Sequence, residues 1–131
     1  MSVLGRAAVA AVSAVALVGM MASPASAADK TLSLGAAGYM KFIDKGDIFK
    51  VCDTRAEGSG VYGTLWYDSF VTTGGYKRVF NLSDGGDKGC GRKVHDIGNG
   101  GHYVMTVCPG RYPTNPWDLE GSCTHSGGFN E

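Results

Sequence analysis

The residues with chemistry to offer are three histidines, four cysteines, an acidic glycine-rich loop and one arginine set close to a cysteine. His95, His102 and His125, among plentiful Ser and Asp, are the raw material of a hydrolytic triad. A triad is defined by geometry, however, and not by spacing along the chain. The sequence contains no G-x-S-x-G elbow and no H-E-x-x-H metal motif. His95 and Asp96 are adjacent, and neighbours on a strand point to opposite faces. The loop Asp84-Gly85-Gly86-Asp87-Lys88-Gly89 offers carboxylates and carbonyls to Ca²⁺. It departs from D-x-[DN]-x-[DN]-G and lacks the closing bidentate Glu, so it reads as a solvated turn. No catalytic residue, metal or cofactor is assigned, and the expectation is a protein that is not an enzyme.

The cysteines have a different chemistry. Cys52, Cys90, Cys108 and Cys123 are separated by 37, 17 and 14 residues, with no C-x-x-C pair to suggest zinc. An even count in a small exported chain implies two disulfides. Three connectivities are possible, and the sequential one, Cys52–Cys90 with Cys108–Cys123, is favoured.

That pairing encloses the segment RYPTNPWDLEGS, which carries Arg111, Tyr112 and Trp117. These residue types dominate protein interfaces, and a closed loop loses less entropy on binding. The segment is therefore the expected contact surface, unless Trp117 folds back over the end of the domain. Arg111, between Cys108 and Tyr112-Pro113, suggests a second role as the anchor of a protease inhibitor. Another candidate contact is residues 28–38, where Leu32 and Leu34 share a face. This stretch either packs as an edge strand or extends as an arm to a partner's sheet edge. Tyr62, Trp66 and Tyr67 offer an aromatic platform for sugar, with core packing as the competing role.

The elements that position these residues follow an export signal at 1–27. Arg6 precedes an apolar run at 7–21, Ser23-Pro24 breaks it, and Ala25-Ser26-Ala27 forms an A-x-A cleavage site. The run is shorter than the ~20 residues of a membrane span, so secretion and no membrane association after cleavage are expected. Without Arg6, 11 Lys and Arg stand against 12 Asp and Glu, a net charge of −1 that gives no reason to expect nucleic acid as a partner. The rest of the chain is one domain's worth of residues, rich in Gly, Thr, Val and aromatic side chains, which points to short strands and tight turns.

The stretch GDIFKVCDTRAEGSGVYGTLWY predicts paired strands at 47–53 and 61–67, joined by the turn 55–60. A strand at 39–44 turns Tyr39, Lys41 and Ile43 one way and Met40 and Phe42 the other. At 76–82, Tyr76, Arg78, Phe80 and Leu82 share a face after the turn Gly74-Gly75. A loop at 83–91 holds Cys90, a strand is expected at 93–97, and Asn99-Gly100-Gly101 reads as a hairpin turn into 102–108. A last strand is expected near 123–125 or 128–130. The sum is all-β: a small Ig-like β-sandwich of about seven short strands over residues 39–131, stapled by two disulfides.

The signal ending ASPASAA, the stretch GDIFKVCDTRAEGSGVYGTLWY and the later HYVMTVC resemble small exported proteins of Streptomyces and related actinomycetes. Those proteins have a similar GD-x-F-x-V-C-D-T strand and Gly-rich hairpin, and the resemblance covers residues 38–108. Some small exported proteins of this group are adaptors in polymorphic toxin complexes, linking a lectin-like subunit to a toxin subunit. The resemblance thus implies a secreted, extracellular adaptor whose partner is another secreted protein, and it transfers no functional residue. The chain does not look like the streptomycete subtilisin inhibitors or the enediyne-carrying apoproteins.

Overall fold

A computed structural model describes residues 28–55, 58–69, 75–85, 89–98 and 101–130. The expected signal at 1–27, residues 56–57 of the expected turn 55–60, Gly74 of the expected turn Gly74-Gly75, residues 86–88 of the acidic stretch and Asn99-Gly100 lie outside the described residues. Among the described residues eight strands follow in order: β1 (Lys30–Ser33), β2 (Gly38–Ile43), β3 (Ile48–Asp53), β4 (Val61–Asp68), β5 (Tyr76–Asp84), β6 (Gly89–Val94), β7 (His102–Pro109) and β8 (Thr124–His125). They form two antiparallel four-stranded sheets, β1-β2-β3-β6 and β5-β4-β7-β8. Among the described residues the only helical pieces are single 3-10 turns at Gly35–Ala37 and Glu120–Ser122, and no helix is long and apolar enough to cross a membrane.

The connectivity is a Greek key. β3 crosses to β4 in the other sheet, β6 returns to pair with β3, and β7 returns to pair with β4. This is the immunoglobulin-like arrangement, with β1 added at an edge. It corrects one expectation: β3 and β4 are not a hairpin pair. Phe49 and Val51 face inward from one sheet, Val61 and Leu65 from the other, and the segment between them spans the sandwich. The strands flanking Asn99-Gly100-Gly101 likewise lie in different sheets, so that connection is a crossing and not a hairpin.

Period-two alternation fills the interior. Met40 and Phe42 of β2, Phe49 and Val51 of β3, Val61 and Leu65 of β4, and Met105 and Val107 of β7 are almost wholly buried in one cluster. Rings run through it, Phe42 to Phe49 at 4.8 Å and Phe49 to Phe80 at 5.2 Å between centroids. Each such side chain contributes roughly 1.5–3 kcal/mol of burial. Gly63 sits opposite this cluster, and a Cβ there would lie 2.6 Å from Met40 Sδ and 2.8 Å from Val51 Cγ2. The first sheet therefore packs directly on the backbone of β4.

β5 departs from simple alternation. Its register on β4 shifts between Leu65, which pairs with Phe80, and Trp66, which pairs with Arg78, so Val79 is an extra residue. A bulge of this kind reverses the faces on either side of it. Phe80 and Leu82 join the core, whereas Arg78 lies over the Trp66 ring and Tyr76 contacts Trp117 on the outer side. The expectation that Tyr76, Arg78, Phe80 and Leu82 share one face is thereby overturned.

The N-terminal alternative resolves to an edge strand: β1 pairs with β2, with Leu32 opposite Met40. Leu32 is buried in the core and Leu34 packs against it, so neither is presented on an arm. Cys90 belongs to β6 and not to a loop, and the strand expected at 93–97 begins earlier, at Gly89. Both C-terminal alternatives occur, as β8 and as a bridge between Phe129 and Tyr103. The disulfides are Cys52–Cys90 and Cys108–Cys123, each with 4.2 Å between Cα atoms. Cys52 and Cys90 are directly paired neighbours on β3 and β6. Cys108 of β7 joins the residue just before β8, so neither bridge links the two sheets.

Candidate functional site

The segment between Cys108 and Cys123 does not project from the sandwich; it lies on the outer face of the second sheet. Alternation turns Tyr103, Met105 and Val107 inward, leaving Val104, Thr106 and Cys108 outward, and all three of these are buried. Thr64 and Trp66 of β4 face outward and are buried too. The segment lies over this face at Thr106, whose Oγ1 donates to Pro116 O at 2.6 Å, and at Tyr62, which meets Tyr112 edge-on at 4.9 Å, while Thr64 donates to Asn81 Oδ1 and Arg78 lies over the Trp66 ring. Trp117 covers part of this sheet face, not the end of the domain, and packs edge-on against Tyr76 and His125.

The loop is built around Asp118. Its carboxylate is buried and accepts from five donors. Arg111 donates from Nη1 at 2.7 Å and Nη2 at 2.9 Å, a bidentate pair. Thr114 donates from its backbone N at 2.9 Å and Oγ1 at 3.1 Å, and Glu120 from its backbone N at 3.0 Å. The Arg111 guanidinium, followed by the Thr114 and Glu120 donors, holds the carboxyl well below the usual carboxylate range against the opposing effect of burial. Arg111 also donates to Tyr112 O and Glu120 O. Asn115 adds a local turn by accepting from Trp117 N at 2.9 Å.

This geometry separates the candidates. Arg111 is spent inside the loop, which leaves an inhibitor reading without a free anchoring side chain. Tyr112 and Trp117 are presented, at 36% and 46% exposure, together with Leu119 at 65%, which the sequence reading passed over. Asp118 was also missed there, although an Asp four residues after Thr114, in a stretch with two prolines, is a local sign of a side-chain-organised turn. Cys108, Asp118 and Cys123 have metal-like spacing, but both sulfurs are in the disulfide and the carboxylate is saturated, so they offer a cation nothing.

The other chemistry-bearing residues are dispersed. His95 packs edge-on against Phe80, His125 against Trp117, and His102 starts β7 opposite Asp68. Asp84 is not part of a solvated turn: it ends β5, is buried, and accepts from Asp53 N across the sandwich at 2.7 Å. Tyr62, Trp66 and Tyr67 form no common platform, because Tyr67 packs on Tyr103 on the opposite side of the strand. Beside Trp117, Tyr76 lies against Asp68, where burial and then the carboxylate push its hydroxyl above the ordinary tyrosine value. Trp66 Nε1 and Asp68 Oδ2 are buried without a hydrogen-bond partner among the described residues. A shallow cleft of ≈ 140 Å³ lies elsewhere, lined by Ala37, Asp53, Arg55, Ser59, Gly60 and Pro109. No protein family, no curated protein and no solved structure matches this chain.

Proposed function

We propose that the protein is a secreted, non-enzymatic binding module that contacts another exported protein through the loop closed by Cys108 and Cys123. The observation that carries this reading is the placement of exposed apolar side chains. Of the four large ones exposed among the described residues, three, Tyr112, Trp117 and Leu119, lie in this loop. The backbone that presents them is already fixed by a disulfide, a bidentate ion pair and the Asp118 turn, so little ordering is needed on association. Aromatic anchors on a rigid support are the usual core of a protein interface. Two disulfides suit an oxidising, extracellular setting. The role proposed is that of an adaptor, including one within an exported toxin complex.

The test is affinity capture by the tagged protein from the native culture supernatant, with mass spectrometry of what co-elutes. A stoichiometric partner, lost when Trp117→Ala or Leu119→Ser is used as bait, is the expected result. A protein that elutes alone, or a partner indifferent to both substitutions, removes the loop as the contact.

A further inference from the structure

The outer face of the first sheet carries an arrangement that only the strand register shows. Lys41 of β2 pairs with Lys50 of β3, and Lys50 pairs with Arg92 of β6. All three point away from the core, because their neighbours Met40, Phe42, Phe49 and Val51 fill it. Three cations thus stand side by side on strands about 4.8 Å apart. Like charges directly opposite one another on a sheet are destabilising. Only one of them has an ion-pair partner among the described residues: Asp29 Oδ2, 3.4 Å from Lys41 Nζ. Beside this row runs a parallel apolar row, Ile43, Ile48 and Val94, in register across the same strands. Val94 is 56% exposed, the fourth exposed large apolar side chain.

We propose that this face is a second docking surface, taking an extended acidic segment of a protein partner. An extended chain laid between the rows sends alternate side chains to either side. Carboxylates on one side meet Lys41, Lys50 and Arg92, and apolar side chains on the other meet Ile43, Ile48 and Val94. Asp29 already shows a carboxylate held at the first position of the row. Charge complementarity selects the partner, and the apolar row distinguishes it from an anionic polysaccharide, which has no use for Val94. The near-zero net charge of the chain means that no general field gathers polyanions, so recognition is confined to this row. The face lies on the opposite side of the sandwich from the loop and stands independently of it.

The experiment is fluorescence anisotropy of the purified protein at low salt with a labelled peptide of alternating Asp and Leu, and with an alternating Ser and Leu control. The acidic peptide binds and the control does not, and binding weakens as salt rises. Lys50→Gln and Arg92→Gln each weaken it about fivefold, the scale of one exposed ion pair. Their melting temperatures stay level or rise, because a like-charge contact has been removed. Trp117→Ala leaves peptide binding unchanged, which separates this face from the loop. Equal binding of the Ser peptide, indifference to both Gln variants, or no binding at all overturns the proposal. So does a preference for dextran sulfate or phosphatidylglycerol vesicles over the acidic peptide.

Discussion

At the scale of single residues, Asp118 and Gly63 bear the sharpest consequences. Asp118 has a depressed pKa in the folded state, so its contribution to stability is complete above the ordinary aspartate value of about 3.9 and is lost as pH falls below it. Chemical unfolding followed from pH 6 down to pH 2 should show a decline below about pH 4. In Asp118→Asn that part of the decline disappears, while stability at pH 7 drops by about 2 kcal/mol from weakened charge-assisted hydrogen bonds. The Asn variant should also loosen Trp117, visible as a changed tryptophan emission. Gly63→Ala drives a methyl into Met40 and Val51, and a loss of about 1–3 kcal/mol is expected in the same assay. Neither residue stood out in the sequence. Gly63 acquires its role from what lies across from it in the other sheet, which no local pattern records, whereas Asp118 takes its donors from its own loop and only its spacing from Thr114 hints at the turn.

At the scale of elements, alternation was readable where a strand is regular and failed where it is not. The inward set of β2, Met40 and Phe42, follows directly from period two. The extra residue Val79 in β5 reverses the pattern, and no Gly or Pro marks the spot. A Gly-rich segment such as 54–60 shows that the chain turns but not whether it returns to the same sheet, since that choice rests on which faces need covering. The disulfide pairs were legible as a favoured option, and the register makes their effects separable. Replacing Cys108 and Cys123 with Ala should cost about 3 kcal/mol, and replacing Cys52 and Cys90 about 4 kcal/mol, on a loop-closure estimate. The first change should also release the loop and weaken any partner held by Trp117. The second should leave Trp117 emission in place and instead raise amide exchange along β6, which among the described strands pairs with β3 alone.

For the whole molecule, the two sheets present two chemically different outer faces. One is aromatic and capped by the loop, and the other is a cationic row beside an aliphatic one. On the two contacts proposed above, such a module would hold two partners at once, and binding at one face should leave affinity at the other unchanged. Neither bridge crosses between the sheets, so among the described residues the faces are joined by the apolar filling, the Asp53–Asp84 hydrogen bond, the contact of Lys93 with the Phe80 ring and the connecting chain. Were two partners to pull in opposite directions, the load would fall on that interior as shear between two internally stapled plates. In single-molecule extension the plates should part first and at modest force. Each staple would then withhold the chain length it encloses until reductant is added.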